Sequence, residues 1–280
     1  MFMKKFLFVL MAIAAAMTVS CNKPADKDDD QKEPEGPKYR IASLAYTDNW
    51  WSDETTLSVE TAGWWDTWYF TYDDQGRVID VDRREDSPKK HWTFAYSDGK
   101  VTITRADNLV VYNLVLNKDG VCTSIETDAK EGYDDWAPYK ETAVFEYDET
   151  LRNTKITKDG ELRSELTWRD NCLVSWTKAR DNNRLRTFTY ANTPNKGDLH
   201  AIYSEAVDPP ARWMYETGLF GHGPAYLPKT SVWEDDKENG SSIACTVDEN
   251  GYCTAEVKTF PIDNGKTPTE IFKITWEEIK

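Results

Sequence analysis

The chain reads as an all-β domain: a large antiparallel meander of hairpins, curled or closed into a barrel-like sheet, with one short helix near 208–218. Two observations predict this. Aromatic strand ends run again and again into short polar turns, often with glycine, and the residues between turns alternate apolar with polar, which is the two-residue period of a strand with one wet face.

The turns come first in the argument. Tyr72-Asp73-Asp74-Gln75-Gly76-Arg77-Val78 is the clearest, followed by Tyr96-Ser97-Asp98-Gly99-Lys100 and Asn117-Lys118-Asp119-Gly120-Val121. Further on stand Tyr147-Asp148-Glu149, Lys158-Asp159-Gly160, Arg169-Asp170-Asn171, Arg180-Asp181-Asn182-Asn183, Asp248 to Gly251 and Asp263-Asn264-Gly265. Asp-Gly and Asn-Gly pairs allow positive φ, and in Asp-x-x-Gly the glycine closes a type I turn with a bulge. Regular spacing of such turns is an antiparallel signature.

Between them, Trp68, Phe70 and Tyr72 oppose Thr67, Tyr69 and Thr71, and Trp92, Phe94 and Tyr96 oppose His91, Thr93 and Ala95. The same alternation sets Leu162, Leu166 and Trp168 against Arg163, Glu165 and Arg169, and Phe272, Ile274 and Trp276 against Ile271, Lys273 and Thr275. The runs amount to on the order of fifteen or more strands, and a sheet that long must curl, close or split. The wet face is too charged to lie against lipid, and Glu277-Glu278-Ile279-Lys280 lacks a terminal aromatic, so a transmembrane porin is disfavoured. Asp208 as N-cap, Pro209 at the first position and Gly218 as stop delimit the helix.

The first residues read as an address. Lys4 and Lys5 precede an apolar stretch from Phe6 to Met17, too short for a comfortable membrane span, so residues 1–20 are expected to be a cleaved signal peptide. Thr18-Val19-Ser20-Cys21 resembles a lipobox, with Thr18 departing from the usual leucine; ordinary secretory cleavage beside a chance cysteine is the alternative. Lipidation at Cys21 would anchor the chain to a membrane by acyl chains worth about 0.8 kcal/mol per buried methylene. Residues 21–38, with six acids after Asn22 and Pro24, Pro34 and Pro37, form an expected disordered stalk. Its acidic run also resembles an export signal to the outer face of the outer membrane. A periplasmic-facing anchor is the alternative. Residues 39–280 make the single folded domain.

Without residues 1–20 the chain holds 32 basic and 49 acidic residues, a net charge of −17, and nucleic acid is not expected as a partner because phosphate affinity comes largely from clustered Lys and Arg. Cys122, Cys172, Cys245 and Cys253 show no Cys-x-x-Cys spacing and only three histidines occur, so neither a zinc site nor any other metal or cofactor is expected. Cys245 and Cys253 flank a turn but lie diagonally across it, and free thiols are expected over a disulfide. Glu234 to Gly240 imitates a calcium loop and fails at Lys237 and Thr246.

The Tyr-Asp-Asp-Gln-Gly-Arg-Val turn, the run of similar hairpins, and Gly218-Leu219-Phe220-Gly221-His222-Gly223-Pro224-Ala225-Tyr226-Leu227-Pro228 together resemble a family of lipoproteins of unknown function described as porin-like in fold, over roughly residues 40–280. The resemblance implies a large curled or closed antiparallel sheet and carries no catalytic residues.

No nucleophile elbow, His-Glu-x-x-His, phosphate-binding loop or dinucleotide fingerprint occurs. His91, His200 and His222 read as surface or hydrogen-bonded residues. No catalytic residue is expected and the chain is not read as an enzyme; a carboxylate-based glycoside hydrolase is the lesser alternative, with 49 acids offering no means of choosing a pair. The aromatics are the better lead. Five of twelve tryptophans, Trp50, Trp51, Trp64, Trp65 and Trp68, fall in one early segment. Adjacent pairs cannot both face inward on a strand, so Trp50, Trp51, Trp64 and Trp65 are the candidate ligand-binding residues, stacking on a glycan or anchoring an outer-membrane protein partner. The competing expectations are that Trp50 and Trp64 cap a barrel end or sheet edge, or that the chain is a structural envelope protein.

Overall fold

Four turns share one local solution. Asp73, Asn117, Asp148 and Asp248 each bend a side-chain oxygen back to accept the amides two and four residues on, at 2.9 to 3.0 Å. The fourth residue of each turn takes positive φ: Gly76, Gly120, Gly251 and, without glycine, Leu151. This is the geometry the Asp-x-x-Gly spacing predicts.

The computed structural model describes residues 38–50, 55, 57–64, 66–84, 88–130, 138–200, 212–262 and 265–279. The expected signal peptide, Cys21 and the expected stalk up to residue 37 lie outside them. Among the described residues sixteen strands follow in order. The first eight are β1 (Tyr39–Asp48), β2 (Asp66–Tyr72), β3 (Val78–Asp82), β4 (His91–Ser97), β5 (Lys100–Arg105), β6 (Val110–Leu116), β7 (Cys122–Ala129) and β8 (Tyr139–Tyr147). Then come β9 (Asn153–Lys158), β10 (Glu161–Arg169), β11 (Cys172–Lys178), β12 (Arg184–Pro194), β13 (Tyr226–Trp233), β14 (Asp236–Val247), β15 (Cys253–Thr259) and β16 (Thr269–Glu278). Each pairs antiparallel with the next, and β16 returns to β1 with Tyr39 opposite Glu278 and Asp48 opposite Glu270. The sheet is a closed barrel. Closure removes the edges that a long meander would otherwise leave unpaired.

The barrel has its apolar face inside. Leu44, Phe70, Val81, Phe94, Ile103, Leu114, Ile125, Phe145, Ile156 and Leu166 point inward and are buried, whereas Thr71, Thr93, Asn113, Glu126, Lys140 and Glu165 on the alternate positions are exposed. A membrane-spanning barrel has the opposite polarity.

Sixteen strands would enclose an aqueous channel, but the described residues 212–222 of the β12–β13 connection pack into the lumen as a plug. Trp213 of a short 3-10 helix (Arg212–Thr217) packs against Trp92 and Phe94, and Phe220 meets Phe145 edge-on at 5.5 Å. Backbone bonds pin this plug to the turns, from Cys122 N to Leu219 O at 2.7 Å and from His222 N to Leu151 O at 3.0 Å. The helix expected at 208–218 is thus a 3-10 turn where it is described, ending at Gly218 with φ +77°, while Asp208 and Pro209 lie outside the described residues.

A collar of aromatic side chains closes the same end. Tyr72, Tyr96, Tyr147, Trp168, Tyr190 and Trp276, each near the end of an even-numbered strand, donate to the carbonyls of Ile41, Val78, Cys122, Asn153, Leu173 and Cys253 on the preceding odd-numbered strand. The repeating unit seen in the sequence is therefore a tertiary device as well as a turn.

Two positions depart from the expected alternation. A bulge between Leu162 and Ser164 resets the register of β10, so Leu162 is half-exposed and Arg163 is buried. Ile271 sits on the wet face as expected, yet it is fully buried. It lies opposite Thr47, whose hydroxyl donates to Gly63 O at 2.8 Å, placing the β1–β2 connection close by.

Among the described residues Cys122, Cys172, Cys245 and Cys253 form no disulfide, in line with the diagonal placement of Cys245 and Cys253. Cys245 lies opposite Glu256, and Cys253 opposite Val247.

Candidate functional site at the loop end of the barrel

The end opposite the plug's entry is formed by the connections β1–β2, β3–β4, β5–β6 and their counterparts around to β15–β16. Trp50 stands there. Asn49 is fully buried and fastens the two loops together: its amide nitrogen donates to Thr267 O at 3.2 Å and its oxygen accepts Thr269 N at 2.8 Å. Trp50 follows directly. Its indole NH donates to Glu270 Oε1 at 3.2 Å, its ring meets Phe260 edge-on at 4.7 Å, and its carbonyl accepts Lys266 Nζ at 3.2 Å. The ring is held by several partners and still 38% exposed.

Trp64 is half-buried and faces Lys273, whose ammonium lies 5.8 Å from the ring centroid. Lys273 is an outward position of β16, so Trp64 lies on the outer wall and Trp50 at the barrel mouth. The structure does not bring these two into one platform. Trp51 and Trp65 lie outside the described residues.

Below Trp50 the luminal wall carries charge. Lys258 Nζ lies 3.5 Å from Glu270 Oε2 and 4.8 Å from the Phe260 ring. Around the same end, Arg83 pairs with Asp66, Arg105 with Asp107 at 2.6 Å and Lys158 with Glu141 at 2.8 Å. Arg105 continues the inward face of Val101 and Ile103, and Lys258 lies beside Ile243 and Glu270 in the register. Buried pairs of this kind are weak contributors to stability, because desolvation offsets most of their attraction. Their signal in the sequence is a cation at a parity the apolar neighbours make inward. Single-strand alternation reads such a residue as the wet end of a strand.

Between β10 and β13 the charges interleave with tryptophan. The Trp176 and Trp233 rings are 5.3 Å apart, the Arg186 and Arg184 guanidinium groups lie 5.0 and 4.4 Å from the Trp233 centroid, and Trp176 donates to Ser164 Oγ at 3.0 Å. A concavity of 510 Å³ lined by Asp181, Asn182, Arg184, Glu234 and Asp235 opens between these hairpin tips.

A smaller cleft of 180 Å³ at the other end lies between plug and wall, lined by Arg40, Tyr72, His200, Glu216 and Trp276 among others. The Glu216 carboxylate accepts the His200 backbone amide at 3.1 Å. Burial raises the Glu216 carboxyl to about 8, and burial lowers the His200 ring to about 4. Sequence reasoning missed Glu216, whose one signal is a lone carboxylate directly after Trp213, Met214 and Tyr215. His222 Nδ1 meets Asp198 Oδ2 at 2.7 Å, and His91 bonds Asp80. Among the described residues no three His, Cys, Asp or Glu side chains converge to hold a metal ion.

A closed antiparallel barrel of sixteen strands, polar outside and plugged within, defines a porin-like fold in strand number and closure. Over residues 70–255 the sequence matches the family described as a domain of unknown function (DUF4595) with porin-like fold, and the chain belongs to that family. Two solved structures are similar. A porin-like protein from Bacteroides uniformis superposes with a TM-score of 0.63 at 17% identity, covering 85% of this chain and 98% of its own. A porin-like protein from Bacteroides vulgatus gives 0.50 at 13% identity, covering 86% and 100%. These likenesses concern the fold alone. No curated protein matches the chain in sequence.

Proposed function

We propose that the chain is a non-catalytic binding protein of the outer envelope, tethered through lipid at Cys21 and taking a glycan at the loop end. The observation that supports this reading is Trp50: a flat ring fixed through Glu270, Phe260 and the Lys266 contact to its carbonyl, yet open to solvent. A preorganised aromatic surface binds without ordering cost, and an exposed indole offers its face to the C–H side of a sugar.

Residues 39–280 on a broad glycan array, followed by fluorescence titration of the best ligand, test the proposal. Trp50→Ala is expected to weaken binding on the order of tenfold or more with the fold retained and only a modest fall in melting temperature. An array with no response, or a Trp50→Ala protein that binds as the wild type does, sinks the glycan reading.

A further inference from the structure

We infer that the luminal wall at the loop end carries a binding site for an oxyanion, a carboxylate or sulfate, centred on Arg163. The inference rests on the glycan reading only for what bears that oxyanion, namely an acidic saccharide.

Arg163 is 6% exposed, and its guanidinium cannot lose its charge. The ion pair it makes joins Nη2 to Glu161 Oε2 at 3.5 Å, and the Glu161 side chain is 74% exposed. An exposed carboxylate at that distance is screened by water and compensates little, whereas Arg163 has given up nearly all of its hydration. Among the described residues Arg163 Nε and Nη1 have no hydrogen-bond partner. Arg105 shows the contrast, with two short bonds to Asp107 at 2.9 and 2.6 Å.

The side of the wall follows from register. Glu161 lies opposite Lys158, which continues the inward face of Ile156, and Arg163 reaches Glu161. The bulge that resets β10 therefore turns a cation into the lumen beside Ser164 and Trp176. The Arg163 carbonyl also accepts Ala179 N at 2.9 Å, which fixes its backbone against the β11–β12 hairpin. Uncommitted guanidinium N–H groups in a water-poor site match an oxyanion in charge and geometry. The chain as a whole repels anions at a net charge of −15, so affinity must be local and depend on this one side chain.

Calorimetric titration of the full mature chain with sodium sulfate, with a glucuronic-acid oligosaccharide and with its neutral glucose counterpart tests the inference at low ionic strength. Saturable sulfate binding is expected, weakened about ten- to hundredfold in Arg163→Gln and partly retained in Arg163→Lys. Glu161→Gln, which removes the neighbouring negative charge, is expected to tighten it modestly, and Arg163→Lys decides the matter if Arg163→Gln does not fold. Absence of sulfate binding, or binding indifferent to Arg163 and Glu161, overturns the site. Preference for the acidic over the neutral saccharide, lost in Arg163→Gln, supports both readings. Equal binding of the two saccharides, dependent on Trp50 alone, leaves the glycan reading standing and overturns this one. Arg163-dependent sulfate binding with no saccharide bound does the reverse.

Discussion

The Tyr147 hydroxyl donates to the carbonyl of Cys122 at 2.7 Å, joining β8 to the start of β7 inside the barrel. The phenol is half-buried and its pKa is raised, chiefly by desolvation, so the bond persists through neutral pH. Removing only the hydroxyl in Tyr147→Phe leaves a carbonyl unsatisfied, and the expected loss is about 1–2 kcal/mol, read from the denaturant midpoint. An unchanged midpoint would mean that the collar bonds contribute shape but no stability.

Trp213 anchors the plug. It is 1% exposed and packed on Trp92 and Phe94, so Trp213→Ala is expected to cost about 3–5 kcal/mol through the cavity it leaves. Equilibrium unfolding by urea, monitored by far-UV circular dichroism, measures this.

Glu216 and His200 set a pH window. The Glu216 carboxyl keeps its proton to about 8 in the folded chain against 4.5 unfolded, so the folded state is the more protonated one between these values and stability falls as pH rises through them. His200 stays neutral down to about 4 against 6.5 unfolded, so its contribution grows with pH and is complete by 6.5. The two oppose each other up to 6.5, and only the Glu216 penalty continues from 6.5 to 8. At about 1.4 kcal/mol per pH unit the decline is on the order of 2 kcal/mol. Melting temperatures between pH 6.5 and 8 should fall in the wild type and stay level in Glu216→Gln.

Gly221 and Gly218 share a φ of +77° but not their surroundings. A Cβ on Gly221 would overlap the Leu151 carbonyl, and one on Gly218 would meet nothing. Gly218→Ala is expected to cost about 1–2 kcal/mol, the left-handed conformation alone, and Gly221→Ala upward of about 4 kcal/mol because a pinned backbone must move. Equal losses in thermal denaturation would show that plug and turns are not rigidly joined.

Lipidation gives the sharpest test of the address. Full-length chain produced in a lipoprotein-processing bacterium is expected to enter the detergent phase on Triton X-114 partitioning, and Cys21→Ala to stay in the aqueous phase, because the outer wall is polar and the acyl chains supply the affinity. Aqueous partitioning of both proteins removes the anchor from the proposal.

Much of the fold was legible along the chain because it is built from local rules. Turn geometry at Asp73 and Asp248 depends on one side chain and its next four residues. The inward faces of β4 and of most of β16 follow from period two. Arg163 and Glu216 were not legible, and each for a nameable reason. A single extra residue in β10 flips the parity on which alternation depends, and the surroundings of Glu216 come from β1, β2 and β16, far away in the chain.

By itself the sequence determined an antiparallel meander of hairpins with a polar face and an apolar face, since both properties arise from contacts within a few residues. Only the tertiary structure decided that β16 closes onto β1, that residues 212–222 pack into the lumen, and that Trp50 stands at the barrel mouth while Trp64 lies on the outer wall. Closure and filling are set by pairings and packing between residues about seventy to more than two hundred positions apart, which no local pattern encodes.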